Sequence, residues 1–329
     1  MNRDHKKEEE FYAKENFFFS YSSLNKLLFS PSLFYKDYIL LDKEVKTDKH
    51  LIEGKAIHCL LFEPDNFNTK FNVVPGKSPS DSVRKVLKNM SFHTDEEKLS
   101  DVEDFIILDS LKEMNLYQSL KADEARIAKI RNEDNAPYWK FLSNPAVDVI
   151  DQDTLQKCKD SVDQLKDNTS VMSLFENNQT DFDLDPIESY AEQYLVSELE
   201  GYPFGLHGYV DHYVIDHENK VVTICDLKTT GKTVADFRDT VDFYNYWLQA
   251  AIYSKLVYDS LGENADEYKI VFKFVVIDVY KQVYVFEVSD ESLSAWASGL
   301  SGALKTAKHH YDTRNYTLPY EFLVNKIKL

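Results

Sequence analysis

Three cysteines in 329 residues (Cys59, Cys158 and Cys225) are too few and too scattered for a disulfide framework or a zinc module. They fit a reducing, cytosolic setting. No run of about 18 apolar residues occurs, so no membrane span is expected. The opening MNRDHKKEEEFYAKEN is charged and lacks an apolar core. It therefore does not read as a secretory signal, and residues 1–16 are expected to form a disordered tail. No glycine-rich phosphate loop of the Walker type is present, which excludes a fused helicase motor. Positive charge is short as well: 38 Lys and Arg stand against 56 Asp and Glu, a net charge of −18. That balance is the main objection to nucleic-acid work, because phosphate contacts usually come from Lys and Arg. The deficit is local, however. Residues 91–190 hold 23 acids and 10 bases, a net of −13, so the other 229 residues carry only −5, and residues 1–90 are +2. The acidic middle serves either as a solubilising face or to repel DNA and engage a partner.

What is present centres on Gly208–Tyr253. Residues 206–215 and 220–228 are rich in Val, Ile, Thr and Tyr and read as consecutive strands, with HENK as the turn. Alternation is expected to put Tyr209, Asp211 and Tyr213 on one face of the first strand. On the second, Val222, Ile224, Asp226 and Lys228 share a face. Two carboxylates and an amine then converge where apolar side chains would be expected. Burying charge is costly unless it is paired or binds a cation, so the pattern favours a metal site. Hard oxygen donors suit Mg²⁺ or Mn²⁺, and a neighbouring lysine can hold and help deprotonate an attacking water. The ordinary alternative is a surface ion-pair cluster on a hairpin.

Downstream, DFYNYWLQAAIYSKLVY reads as one amphipathic helix with Leu248, Ile252 and Leu256 on its apolar stripe. Gln249 and Tyr253 lie one turn apart on a neighbouring face. Upstream, 52–62 reads as a short helix ended by Pro64 and carrying His58, either a packed core histidine or a metal ligand. Before it, SYSSLNKLLFSPSLF reads as two short helices, capped by Ser22 or Ser23 and by Ser32.

The succession SYSSLNKLLFSPSLF, GKAIHCLLFEP, GYVDHY, DLKTT and QAAIY resembles the PD-(D/E)XK nuclease superfamily. More narrowly, it is similar to the RecE-like phage and prophage exonucleases, relatives of the RecB-like nuclease domains. The similarity covers about 20–64 and 190–290. It implies metal ligation by His58, Asp211, Asp226 and the backbone carbonyl of Leu227, with Lys228 positioning and activating water. Gln249 and Tyr253 would line the DNA-facing side and orient the lysine or a phosphate. Glu192 stands near where many relatives carry a helical acid; the alternative is a plain surface glutamate. Asp226 occupies a position where many members have Glu, and RecE-like members accept Asp. Three cysteines do not reach the four that an iron–sulfur branch of the RecB-like enzymes would need.

The fold expected is α/β, a mixed central sheet flanked by helices. Its parts are N-terminal helices of the nuclease core at 17–64, an acidic and mainly helical insertion at 65–189, and the catalytic core at 190–329. Within the last, EYKIVFKFVVIDV and QVYVFEV read as a further strand pair, the first central. Residues 290–311 read as a closing helix, and the tail RNYTLPYEFL is expected to be irregular. The resemblance implies a Mg²⁺- or Mn²⁺-dependent DNA exonuclease acting 5′ to 3′ on duplex ends, in recombination or phage DNA processing. It further implies a single-strand annealing protein as partner, a homo-oligomeric ring around DNA, and a bacterial or phage-infected cytoplasm. Two other readings stand beside it: a structure-selective endonuclease on the same residues, and a catalytically silent DNA- or protein-binding relative.

Overall fold

The computed structural model describes residues 5–13, 17–44, 48–144, 146, 148–175, 186–324 and 327. The chain divides into two compact units, Met1–Lys46 with Asp163–Leu329, and Thr47–Val162. The helix carrying His58, Lys49–Phe62, lies in the second unit.

In chain order the strands are β1 (Phe17–Phe19), β2 (Phe71–Val73), β3 (Asp148–Ile150), β4 (Ile187–Ser197), β5 (Phe204–Asp216), β6 (Val221–Thr230), β7 (Lys269–Asp278) and β8 (Val283–Glu287). The first unit is built on a six-stranded mixed sheet in the order β1-β5-β6-β7-β8, with β4 also paired to β5. Pairs β1–β5 and β6–β7 are parallel; β4–β5, β5–β6 and β7–β8 are antiparallel. The near-continuous apolar run of β7 lies between β6 and β8, as expected of a strand covered on both faces. Against one face pack the helices Tyr21–Phe29, Tyr246–Ser260 and Asp290–Thr313. Leu24, Leu248, Ile252, Leu256 and Leu300 there join Val222, Ile224, Phe272 and Phe274 in one core. On the other face Phe175, from the helix Thr169–Phe175, meets His212 edge-on at 5.0 Å.

Two features of β5 position the charged residues of the hairpin. Along one edge β4 pairs with it from Leu206 to Asp216. The other edge is shared: β6 pairs only with residues 212–216, and β1 only with 204–206. The stretch between them is a fork from which β6 diverges. The second feature is a change of phase. Leu206 and Val210 face the core, and so do Tyr213 and Ile215, so one alternation step is lost across Asp211 and His212. Tyr209 is consequently 59% exposed and Tyr213 only 4%, and the expectation that they share a face with Asp211 does not hold. Glu192 lies between Ala191 and Gln193, which pair with His212 and Val210 on either side of Asp211, and its backbone is left-handed at φ 48°. A non-glycine residue there, inside a strand, is strained.

Several local expectations are corrected. The cap of Tyr21–Phe29 is Ser20, in a reciprocal box with Ser23, and Ser30 precedes the turn that begins at Pro31. Residues 5–12, expected as tail, form a helix whose Phe11 enters the core and whose Glu8 accepts from the Tyr35 hydroxyl at 2.6 Å. Met1–Asp4 and 14–16 lie outside the described residues. Tyr320–Leu323, expected as irregular, is a single helical turn.

The second unit gathers Val83, Val86, Leu87, Met90, Ile106, Ile107, Ile130 and Trp139 into its own core. These come from the helices Asp81–Met90, Asp104–Glu113, Asp123–Ile130 and Ala136–Ser143. Trp139 donates from Nε1 to the Glu96 carbonyl at 3.0 Å, which satisfies the polar end of a buried ring. A short parallel pair, β2–β3, accompanies these helices. No described helix of the chain is long and apolar enough to cross a membrane.

Candidate active site

The fork is where the acids meet. Since β5 and β6 stop pairing at His212–Cys225, the Leu227 N–H has no carbonyl of β5 in ladder register; the Asp211 carboxylate takes it, at 2.8 Å. Asp211 is thereby fixed against the backbone between Asp226 and Lys228. The N–H and C=O of a strand residue point to the same edge, so the Leu227 carbonyl is presented on the Asp211 side as well. Asp226 is 0% exposed and forms an ion pair with Lys228, two residues along the same face. Glu192 offers a carboxylate oxygen within 4.8 Å of one from Asp211. The resemblance placed this acid on a helix; it sits on a strand, and the register across β4–β5 delivers it to Asp211.

Burial alone would push the Lys228 ammonium down. Asp226 and Asp211 outweigh it, and the lysine is held above its ordinary range. It is therefore an ammonium in this state, a hydrogen-bond donor and a positive charge. A base at this position would need the acids' field to be neutralised.

Gln249 and Tyr253 are both buried on the helix Tyr246–Ser260, and Gln249 Nε2 donates to the Tyr253 hydroxyl at 2.9 Å. Burial, then Asp211 and Asp226, raise the Tyr253 phenol well above its usual value, and Glu192 adds to the effect. Tyr253 is thus a neutral donor facing the three acids. The helix reaches this position over Gly208: a Cβ there would meet the Tyr253 ring at 3.0 Å and Leu256 at 3.3 Å. The Gln249 Oε1 atom is buried and accepts no hydrogen bond from the described residues.

Sequence reading missed the break before this helix. DFYNYWLQAAIYSKLVY is two helices, Phe237–Tyr244 and Tyr246–Ser260, joined by Asn245 in left-handed backbone at φ 57°. Asn is tolerated there better than most residues. Its side chain donates to Asn25 Oδ1 at 2.8 Å and accepts from Trp247 Nε1 at 3.0 Å. The break carries Tyr246 over Lys228, whose Nζ lies 4.8 Å from the ring centroid. Tyr246 and Tyr21 both remain neutral phenols, raised chiefly by burial. An asparagine between two tyrosines was the one visible sign of this arrangement.

His58 lies on Lys49–Phe62 in the second unit, half-buried and 6.0 Å from the Phe62 ring. Within the first unit, then, Asp211, Asp226, Glu192, Lys228, Gln249 and Tyr253 share one neighbourhood. Three carboxylates face one ammonium in a largely buried setting, an excess of negative charge that a divalent cation would offset. The oxygen donors fit Mg²⁺ or Mn²⁺.

No protein-family model and no curated protein matches this chain. Among solved structures it is similar to one from Eubacterium rectale named "Putative exonuclease", at 10% identity over 100% of this chain and 94% of that one, with a TM-score of 0.49.

Proposed function

We propose that the chain is a divalent-metal-dependent deoxyribonuclease that hydrolyses phosphodiester bonds. In this reading it is an exonuclease working 5′ to 3′ from duplex DNA ends, in recombination or phage DNA processing. The observation that carries the reading is the fork: Asp211 bonded to the Leu227 N–H, immediately beside the buried Asp226–Lys228 pair. Asp211, Asp226, Glu192 and the Leu227 carbonyl would hold Mg²⁺ or Mn²⁺. The family resemblance adds His58 to that set, a role that His58→Ala tests. A cation bound there supplies a stabilised phosphoryl oxygen and a more acidic water.

Lys228, as an ammonium, donates to the attacking water or to a phosphoryl oxygen and carries part of the charge that develops there. Tyr253, neutral and already accepting from Gln249, has its own proton to give to a phosphate oxygen. A silent binding protein has no need of a nearly buried lysine among three acids. An annealing-protein partner and a ring-shaped homo-oligomer belong to the same proposal through the resemblance.

The test is an end-labelled duplex incubated with Mg²⁺, with Mn²⁺ and with EDTA, beside a covalently closed circle. Mononucleotides from linear DNA, an untouched circle and no product in EDTA are expected. A nicked circle would assign an endonuclease instead, and a metal-independent or absent reaction would overturn the reading.

A further inference from the structure

A column of aromatic rings leads from the core, past Lys228, to the surface. Phe274 meets Phe237 at 5.4 Å, and Phe237 is stacked on Tyr246 at 6.2 Å and 30°. Tyr246 stacks on Tyr244 at 5.6 Å and 26°, and Phe243 abuts Tyr244 edge-on at 4.9 Å. The inner rings are buried or half-buried, yet Tyr244 is 50% exposed and Phe243 74%. Apolar surface is normally left exposed in isolated side chains; two adjacent rings at the end of a helix are a concentrated patch.

The backbone beneath this patch is anchored. The Tyr244 carbonyl accepts from the Tyr21 hydroxyl at 2.5 Å and from Asn25 Nδ2 at 3.3 Å. The left-handed Asn245 after it is clamped to the same Asn25. Groups from the two helices on either side of the break and from Tyr21–Phe29 thus fix the direction of an otherwise ordinary helix end. An exposed aromatic face on an anchored backbone has less conformational entropy to lose when a flat partner covers it. The two separations, Tyr244 to Tyr246 and Tyr246 to Lys228 Nζ, bound the distance from the outer ring to the lysine at about 10 Å.

We infer that Tyr244, with Phe243 beside it, is a base-stacking platform. It receives an unpaired nucleobase of the strand whose phosphate lies at Lys228. The inference rests on the nuclease reading for the identity of the strand, and it deepens that reading. The substrate at the moment of cleavage is an end whose terminal bases have left the duplex, because a paired and stacked base has no face to offer a protein ring. Stacking of this kind is indifferent to sequence, since every base has a π-face, and it suits an enzyme that must degrade whatever end it meets. The platform also supplies what a chain of net charge −18 otherwise lacks, an attachment to the strand that does not depend on Lys and Arg.

The experiment has two arms. In the first, Tyr244→Leu, Phe243→Leu and Tyr244→Phe are compared with wild type on labelled duplex ends. The two Leu variants are expected to raise KM on the order of 10-fold, the effect of losing one base–ring stack. The kcat should stay within about threefold and Tyr244→Phe close to wild type. In the second, an oligonucleotide end carrying 2-aminopurine, whose emission is quenched by stacking, is bound in Ca²⁺. Emission is expected to be low on wild type and Tyr244→Phe, and higher on Tyr244→Leu. An active wild type whose Leu variants change neither KM nor emission would overturn the platform and leave the nuclease reading intact. An inactive wild type that still quenches through Tyr244 would overturn the nuclease reading and keep the platform.

Discussion

The two halves of the β5–β6 hairpin lie on the same two strands and have opposite tasks. From the turn to His212–Cys225 the strands pair without interruption, and Val222, Ile224, Tyr213 and Ile215 fill the core. Beyond that rung β6 continues beside β7 alone, and the side chains on the same faces become Asp226, Lys228 and Asp211. Paired backbone with apolar side chains makes stability. Released backbone with buried charge makes a site that is incomplete by itself. Where a ladder ends within a sheet, the polar groups it releases have to be satisfied by side chains or by a ligand, and here they recruit Asp211.

That contrast can be broken most severely by substituting one residue type in each half. Asp226→Asn or Lys228→Ala is expected to lower cleavage at least 10³-fold, several kcal/mol of lost transition-state stabilisation. In Asp226→Asn the melting temperature should move less than it does in Ile224→Ala, whereas Lys228→Ala removes the counter-charge of a buried carboxylate and should lower it as well. Ile224→Ala, in the paired half, should cost about 2–5 kcal/mol of stability and leave the turnover of the folded fraction near normal. Labelled-duplex kinetics and thermal denaturation on the same preparations check both.

Gln249→Ala and Tyr253→Phe come next. Each should slow cleavage roughly 10–100-fold, while Mn²⁺ affinity by calorimetry falls far less than in Asp211→Asn. In the proposed mechanism they would hold a phosphate or the lysine, and Asp211 would hold the ion. Equal losses of metal affinity in all three would erase the distinction between the fork and the helix above it.

The last rung sharpens the comparison through pH. Burial pushes the His212 imidazole down to about 4. Between its ordinary value near 6.5 and about 4, the unfolded chain binds a proton that the folded one refuses. Stability is therefore complete above pH 6.5 and declines as pH falls through that window, by about 1.4 kcal/mol per unit of pH. His212→Asn should flatten this slope in chemical denaturation measured from pH 7 to 4.5.

A smaller effect concerns the strain at Glu192. Glu192→Gly should be more stable than Glu192→Ala by about 1 kcal/mol, because only glycine adopts φ 48° without penalty. Both should lose activity with the carboxylate. Equal stabilities would mean that β4 relaxes when the acid is removed.

Much of the arrangement of the charged and polar side chains was legible. D-x-K along one strand face and Q-x-x-x-Y along one helix turn are periodic statements, and periodicity survives folding whenever the element is regular. The central place of β7 emerged from its unbroken apolar run in the same way. What escaped were the irregularities. Nothing in SYAEQYLVSEL marks Glu192 as left-handed, since strand alternation carries no signal of a local break in backbone conformation. The phase change at Asp211 misled the reading of Tyr209 for the same reason. The helix break at Asn245 was hidden because Leu248, Ile252 and Leu256 carry the apolar stripe whether or not the helix extends upstream. The ordered segment His5–Tyr12 was hidden by its charge: Glu8 and Phe11 turn inward and Tyr12 packs partly against the core, a pattern not visible without Tyr35 and Tyr316.

The pairing of β1 with β5 sets a timetable for synthesis. Phe17–Phe19 finds its partner only in Phe204–Leu206, nearly two hundred residues later. At about 5–20 residues per second, the newborn chain carries three consecutive phenylalanines without their strand for roughly 10–40 s. The fork cannot close on its β1 side before then. The nascent protein thus passes through a long interval in which its phenylalanine triplet lacks its strand partner, because β5 and β6 do not yet exist. Slower translation lengthens that interval, so recoding that slows synthesis of residues 20–203 is expected to lower the soluble yield of this chain more than that of a fold whose sheet is assembled from neighbouring hairpins.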